Sequence, residues 1–146
     1  METAHRRVSS LLRPPRDAVR LEVDRGDIVL WPLAPHIVVT EMRGHMTPAM
    51  SQLLMARIDP LYGKCKKLYS FHNWMGMTGY ESSCRVELTS WVLRNKAKTE
   101  LHIATSSRLV AMGVMVAKVA LGDALHVYQD LAALERELVA LLGKRR

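Results

Sequence analysis

The 146-residue sequence has too few cysteines for a disulfide framework and no apolar run long enough to cross a membrane. Its two cysteines, Cys65 and Cys84, lack the spacing of a metal site. The N-terminal METAHRRVSS has no apolar run behind its arginines, so it does not have the pattern of a secretory signal. The longest apolar stretch, Leu109–Leu121, is interrupted by Lys118 and is too short to span a bilayer. These absences predict a cytoplasmic protein with reduced thiols, folded as one domain.

The sequence also lacks the patterns of common catalytic and cofactor sites. It contains no glycine-rich phosphate loop, nucleophile elbow or paired-carboxylate pattern, and its GMTG lacks the lysine and length of a phosphate loop. None of the six histidines forms a helical i, i+4 pair with another histidine or with a cysteine, which argues against a metal site. We therefore expect a protein that is not an enzyme, with no catalytic residues, no cofactor and no metal.

The net charge of +7 is concentrated at the two ends of the chain. Residues 1–20 hold five basic and two acidic residues, and the last three residues, 144–146, are all basic, whereas residues 21–143 hold 13 basic and 12 acidic residues. A nucleic-acid-binding domain carries a basic face on its folded part, so nucleic acid is not an expected partner. The predicted division is a flexible basic leader at 1–18, one domain at 19–143 and a basic tail at 144–146. Weak contact of these basic ends with anionic lipid is an alternative to mobile, solvated ends.

Hydrophobic periodicity predicts three strands followed by alternating helices and strands. Two strands lie in VRLEVDRGDIVLWPL around a turn at 24–27, with prolines ending the second, and HIVVTEM is a third strand before a loop at 43–46. Such an order indicates an α/β class: a single domain with a mixed sheet, an N-terminal antiparallel hairpin and about four helices. The remaining strands are CKKLYSFH, ELHIAT and ALHVYQ.

Capping residues predict where the four helices begin and end. The first runs from Thr47-Pro48 to Ile58 or Asp59. The second is the amphipathic SSCRVELTSWVLRNKAK, the third begins after a cap at Ser106 or Ser107 and ends near Gly122, and the fourth begins after a cap at Asp130 and ends near Gly143. In the second helix the residues expected to face the core are Val86, Leu88, Trp91, Val92 and Leu93.

In a parallel sheet the segments that follow the strands emerge at one end, where ligands gather. By this rule the segments 43–47, 72–83 and 105–108 lie near one another, with two helix N-termini pointing into the same region. Helix N-termini attract anions through their unpaired backbone N–H groups. The pair Ser82 and Ser83 therefore has two interpretations: the serines cap a helix, or one of them accepts a phosphate.

This element order, together with one local stretch, resembles the STAS fold of anti-sigma-factor antagonists and sulfate-transporter tails. The sequence is more similar to small bacterial STAS/SEC14-type proteins, over residues 19–142. The antagonists carry Asp-Ser-Ser-Gly at the start of the helix after the central strand, where this sequence reads Glu81-Ser82-Ser83-Cys84. LHIATSSRLVAMGVM followed by ALHVYQDLAALERELVAL is similar to the rest of the fold.

The resemblance implies a non-enzymatic regulatory or scaffold module. Its expected partner is a protein, of the kinase or anti-sigma regulator type, bound through the loop and helix start at 72–84 and controlled by phosphorylation of Ser82 or Ser83. A homodimer is a further expectation. The residues expected to contact a partner or ligand are Trp74, Met75, Met77, Thr78, Tyr80, Glu81, Cys84 and Arg108.

An alternative function is that of a carrier or sensor of a lipophilic ligand, because the related STAS/SEC14-type proteins have been considered carriers of such ligands. Nine methionines are many for this length, and methionine lines adaptable apolar surfaces as well as ordinary cores. The groove would be formed with Trp74 and Tyr80 by Met46, Met50, Met55, Met75, Met77, Met112 and Met115. Cys84 also has two interpretations, a thiol activated by Arg85 and the helix N-terminus, or a small buried residue.

Overall fold

One mixed sheet of six strands organises the chain, and strands that are consecutive in sequence are neighbours in space. The computed structural model describes residues 11–144. β1 pairs antiparallel with β2 and β2 antiparallel with β3, whereas β3 to β6 are parallel. This arrangement confirms the predicted α/β class and the N-terminal hairpin. The strands are β1 (Val19–Val23), β2 (Gly26–Ala34), β3 (Ile37–Met46), β4 (Leu68–Tyr80), β5 (Thr99–Ala104) and β6 (Leu125–Tyr128).

Four α-helices connect or follow the parallel strands, as the sequence predicts. They are α1 (Pro48–Ile58), α2 (Ser82–Arg94), α3 (Arg108–Leu121) and α4 (Leu131–Lys144). Ser107 caps α3 by accepting a hydrogen bond from the Val110 N–H at 3.3 Å, and Asp130 caps α4 by accepting one from the Ala133 N–H at 2.8 Å. No helix within residues 11–144 is long and apolar enough to cross a membrane.

The helices divide between the two faces of the sheet and create two apolar cores. On one face, called here the three-helix face, α1, α2 and α3 pack on the sheet through residues such as Leu54, Trp91 and Val114. On the other face, called the α4 face, Leu134 and Leu138 of α4 pack on Phe71 and its neighbours. Both faces of the sheet are therefore covered, which explains why the parallel strands are rich in apolar residues.

The N-terminal segment before β1 takes part in the second core. Leu12 is 4% exposed and belongs to the α4-face cluster. The packed part of the chain thus begins before Val19, although the boundary of the expected leader at residue 18 stays a prediction. Residues 1–10 and 145–146, which hold most of the expected leader and tail, lie outside the described residues.

Two segments expected to be loops are strand. The expected loop at 43–46 is the end of β3, and residues 72–80 of the expected loop and helix start at 72–84 belong to β4, so both loop expectations are wrong. β4 accommodates extra residues as bulges, because Glu41 and Arg43 pair with Asn73 and Gly76, two residues against three. Pro32, expected to end its strand, lies within β2 next to a register shift and beyond the last β1 pair.

The surface of α2 also differs from the expectation. Trp91 and Val92 are buried and Leu88 packs against the core, but Val86 and Leu93 are 55% and 43% exposed. The apolar residues of this helix are spread over too wide an arc for all of them to face the sheet. The predicted core positions at Val86 and Leu93 are therefore wrong.

Gly44 lets β3 continue past the hairpin turn. Its φ is +79°, and a Cβ placed on it would collide with the carbonyl oxygen of Arg25. We expect Gly44→Ala to lower the free energy of unfolding by about 1–3 kcal/mol, the range for residues held in such conformations. Urea denaturation measures the change. Gly63→Ala is the matched control, because nothing lies within 4 Å of the added methyl group and its φ is not positive. Equal losses of unfolding free energy in Gly44→Ala and Gly63→Ala would contradict the role assigned to Gly44.

Candidate functional site

An apolar cavity of about 70 Å³ lies on the three-helix face, between the sheet and the three helices. Its floor is formed by residues of β4 and β5, and its walls by α1, α2 and α3. Most of the side chains around it are aliphatic, aromatic or methionine. The lining residues include Ser70, His72, Trp74, Met77, Tyr80, Arg85, Gly113 and Ala117.

The bulges of β4 bring three of the predicted ligand-binding residues to this cavity. Strict alternation would place Trp74 and Met77 on opposite faces of the sheet. The extra residue between Asn73 and Gly76 reverses the alternation, and a second shift beside Gly44 does so again before Tyr80. As a result Trp74, Met77 and Tyr80 all line the cavity.

His72 is a structural residue of the cavity floor rather than an acid or base. It is 2% exposed, its Nδ1 lies 2.8 Å from Thr40 Oγ1, and its Nε2 lies 2.9 Å from Ser70 Oγ. Burial lowers the pKa of His72 to about 3, with a smaller contribution from His102. The ring is therefore neutral at physiological pH, with both nitrogens engaged by hydroxyl groups.

Trp74 is the buried donor of the cavity that has no partner. Its side chain lines the cavity and is 7% exposed, and its indole Nε1 has no hydrogen-bond partner among residues 11–144. The other tryptophan of this face behaves differently, since Trp91 Nε1 donates to Asp59 Oδ1 at 2.9 Å. An unpaired buried N–H costs about 1–3 kcal/mol, and this one belongs to a side chain that lines the cavity.

The cavity approaches solvent between α2, α3 and the end of β4. Tyr80, Arg85 and Thr89 line it and are half-buried, unlike the buried Ser70, His72 and Trp74 of the floor. The Tyr80 ring lies directly on Gly113 of α3, where a Cβ would collide with the phenol. A glycine in the middle of this helix thus makes room for the aromatic side chain at the rim.

The segments expected to gather at one end of the sheet do so. The Glu81 N–H donates to the Met46 carbonyl at 3.0 Å, which joins the ends of β3 and β4. Ser106 Oγ donates to the Met75 carbonyl at 3.3 Å, which ties the start of α3 to β4. Within this region Thr78, Glu81 and Arg108 are exposed. Met75 is half-buried and packs against the α4-face core, on the opposite side from the cavity.

Ser82 and Ser83 are exposed and form the first two residues of α2. The residue at the cap position is Glu81, and its side chain makes no capping hydrogen bond. The interpretation of the two serines as side-chain caps is therefore wrong, because the backbone enters the helix one residue earlier. Their exposure leaves phosphorylation as an untested proposal.

Cys84 is a buried residue of the core. It is 0% exposed, and its Sγ lies 3.8 Å from the Met46 carbonyl oxygen. Burial raises the pKa of the Cys84 thiol, against a smaller effect of Ser51. The structure therefore favours the small buried residue over the activated thiol.

The methionines do not form one groove. Met46 and Met77 line the cavity, Met50 is buried beside it, and Met55 packs at its margin. Met112 and Met115 instead point outward from α3, with 64% and 51% exposure. The expected groove of seven methionines is thus partly wrong, because α3 turns two of them away from the sheet and Met75 lies on the α4 face.

Sequence reasoning missed a cluster of Glu100, His102 and His126 on the α4 face. A search for pairs at helical spacing does not detect it, because Glu100 and His102 share a face of β5 through strand spacing. His126 joins them through the pairing of β6 with β5. The i, i+2 spacing of Glu100 and His102 was visible in the sequence, but the position of His126 depends on the register.

Comparison with known proteins identifies the fold. No protein-family model matches the sequence, and no curated protein matches it. A solved structure similar to this one is that of an uncharacterized DUF3478-family protein with a SpoIIAA-like fold from Shewanella loihica PV-4. The likeness has a TM-score of 0.60 at 11% sequence identity and covers 81% of this chain and 98% of that chain. The chain therefore has a STAS-like fold of the SpoIIAA type, as the sequence resemblance implied.

The buried, neutral His72 makes stability dependent on pH. In the unfolded chain His72 titrates near its ordinary value of about 6.5, and in the folded protein near 3, so protons bind the unfolded chain more strongly. The contribution of His72 is complete above about pH 6.5 and is lost as the pH falls toward 3. We expect wild type to lose up to about 1.4 kcal/mol more per pH unit than His72→Gln over this window. Denaturation of both proteins at pH 4, 5, 6 and 7 measures the difference, and His45→Gln is the control. Parallel stability profiles for wild type and His72→Gln would contradict the assigned role of His72.

Proposed function

We propose that the protein is a non-enzymatic regulatory module that senses a small lipophilic ligand in the three-helix cavity. The observation that carries the proposal is a mostly apolar cavity lined in part by Trp74, whose buried indole N–H has no partner within residues 11–144. A ligand with a hydrogen-bond acceptor satisfies this donor while its apolar part fills the cavity. The alternative function from the sequence is thereby favoured over partner binding through the expected loop and helix start at 72–84, since residues 72–80 of that segment are a largely buried strand.

The size of the cavity limits what enters it. At about 70 Å³ it is smaller than the engineered cavity of about 150 Å³ that binds benzene. It therefore receives one end of a ligand, such as a short alkyl chain with a hydroxyl or carbonyl oxygen. The rest of the ligand leaves past Tyr80 and Arg85, and the guanidinium group of Arg85 favours an anionic outer end.

Filling the cavity from α3 tests the proposal. Ala117 lines the cavity, and we expect Ala117→Leu to weaken the binding of decanoate and octanol about tenfold. The added side chain excludes about two methylene groups of the ligand, each worth about 0.8 kcal/mol. Calorimetric titration and the ligand-induced shift in melting temperature measure the effect. Native mass spectrometry of the purified protein shows in addition whether a lipid is carried from the cell.

Two further variants control this experiment. Ala120→Leu adds the same group three residues along α3, where the side chain is exposed and outside the cavity, and it should bind as wild type does. Trp74→Phe removes the donor and keeps a ring, so we expect affinity for octanol to fall about five- to tenfold. The stability of the ligand-free protein should change by less than about 1 kcal/mol, because the lost packing is offset by removal of an unpaired donor. Equal binding by all four proteins would refute the ligand-sensing function.

A second function, binding of a protein partner, is favoured by an apolar stripe on α3. Five of its side chains are more than half exposed, and Val119 reaches 89%. The stripe begins beside the end of β4, since a Cβ on Gly79 would lie 3.6 Å from Leu109 Cδ2. Exposed apolar patches of this kind mark protein interaction sites. The stripe consists of Leu109, Met112, Met115, Val116 and Val119.

The exposed serines at the start of α2 provide a means of control in this second proposal. A phosphate on Ser82 or Ser83 sits at a helix N-terminus, where negative charge is favourable, and it adds nearly two negative charges beside Glu81. The partner proposed here is a protein of the kinase or anti-sigma regulator type, as the STAS resemblance implies. Thr78, Glu81 and Arg108 are the exposed residues that contact it in this proposal.

Matched charge substitutions test the partner surface. We expect Val119→Glu to abolish capture of a protein that wild type captures, because the buried charge loses its solvation at the interface. Val139→Glu is the control, since Val139 is 42% exposed on α4, across the sheet. Ser83→Asp should change affinity for the purified partner with little loss of stability, and Ser83→Ala should leave both unchanged because the side chain caps nothing. Retention of the partner by Val119→Glu would exclude the stripe as the partner-binding surface.

A further inference from the structure

A cluster of three side chains with metal-ligand chemistry lies on the α4 face, near the amino ends of β5 and β6. Glu100 and His102 lie two residues apart on β5, and His126 is the β6 residue paired with His102. Glu100 Oε2 is 2.8 Å from His102 Nε2 and 3.9 Å from His126 Nε2. One donor atom from each of the three side chains lies within 4.8 Å of the other two.

We propose that Glu100, His102 and His126 bind one divalent transition-metal ion of the zinc class. Two imidazoles and one carboxylate suit Zn²⁺, Co²⁺ or Ni²⁺, whereas Mg²⁺ and Ca²⁺ prefer oxygen ligands alone. Bonds of about 2.0–2.2 Å in a tetrahedral site hold the donor atoms roughly 3.3 Å apart. The two Glu100 distances, 2.8 and 3.9 Å, lie on either side of that value, so the spacing of the donor atoms needs little change.

Tyr128 supports His102 from the other side of the ring. Its hydroxyl oxygen lies 2.7 Å from His102 Nδ1. Without an ion, Nε2 carries the proton and donates to Glu100, because a carboxylate only accepts. With an ion on Nε2 the proton moves to Nδ1 and donates to the Tyr128 oxygen. Since a hydroxyl group both donates and accepts, Tyr128 keeps its hydrogen bond in either state, as the outer partner of a metal-bound histidine does.

The two histidines differ in exposure, and the site needs this difference. The His102 side chain is 4% exposed, and its ring stacks on Phe71 with centroids 4.5 Å apart. The His126 ring stacks on His102 at 4.7 Å with an angle of 9° between the planes. Two stacked imidazoles cannot both direct an in-plane lone pair at one ion, so His126 must turn. Its side chain is 42% exposed on the last strand of the sheet, which leaves room for the movement.

Both acidic and basic side chains surround the cluster, and the positive charge of Lys67 opposes the binding of a cation. Glu137 of α4 adds negative charge that acts on His102. Lys67 Nζ lies 3.3 Å from Glu100 Oε1 and competes with an ion for the carboxylate.

Metal titration of the full-length protein tests the proposal. In the presence of a non-chelating reductant, zinc chloride should raise the melting temperature, EDTA should reverse the rise, and magnesium chloride should have no effect. By calorimetry His126→Gln should bind zinc at least about tenfold more weakly, as expected when a ligand rather than an outer partner is lost. His45→Gln removes a histidine outside the cluster and should bind as wild type does.

Two more variants distinguish the cluster from scattered binding by surface histidines. Lys67→Met should tighten zinc binding, because it removes the competing cation from Glu100. Tyr128→Phe should weaken binding about 10- to 100-fold through loss of the His102 partner. Cobalt(II) should give a visible absorption band in wild type that His126→Gln lacks. Absence of zinc binding by wild type, or equal zinc affinity of wild type and His126→Gln, would overturn the proposal.

Discussion

The parallel pairing of β4 with β3 is the constraint on which the rest of the structure depends. The pairing extends from Ile37 opposite Tyr69 to Met46 opposite Tyr80, and the two paired strands lie between the two apolar cores. Successive residues of a strand point to opposite faces of the sheet. His72 therefore faces the cavity, while its neighbour Phe71 stacks on His102 on the α4 face. One strand therefore supplies the floor of the cavity and the support of the histidine cluster. Beyond Asn73, β4 no longer pairs with β5, and the start of α3 lies beside β4 instead.

Local signals were sufficient to predict the element order, because capping residues and periodicity act within a few positions. Pro48, Ser107 and Asp130 each mark a helix start by a mechanism that needs no tertiary contact. The same reasoning failed at Gly76 and Gly79, where glycine indicated a loop. In the structure these glycines allow close approach of Arg43 and His45 within a bulged strand. Only the pairing partner distinguishes a bulge from a loop, and the partner is not a local property.

The candidate sites were predictable to different extents for the same reason. Trp74, Met77 and Tyr80 were identified as ligand-binding residues by their type, but their common face arises from two bulges that reverse the alternation. Glu100 and His102 share a face through strand spacing alone, whereas His126 reaches them only because β6 pairs in one register with β5. A shift of one residue would turn His126 toward the three-helix face. Sequence patterns thus predict the chemistry of a residue more readily than they predict which residues lie near it in the folded structure.

For the ligand-sensing function proposed above, an acceptor on an organic ligand suits the unpaired Trp74 donor better than a bound water does. A buried water typically makes two to four hydrogen bonds with polar groups that lack other partners. The cavity's other buried polar side chains are already engaged: Ser70 and His72 with each other, Tyr62 with Thr99, and Trp91 with Asp59. A water beside Trp74 would accept one bond and find few groups for its own protons. An acceptor atom on an apolar ligand needs only the one donor, and the remainder of such a ligand is compatible with the aliphatic and aromatic walls of the cavity.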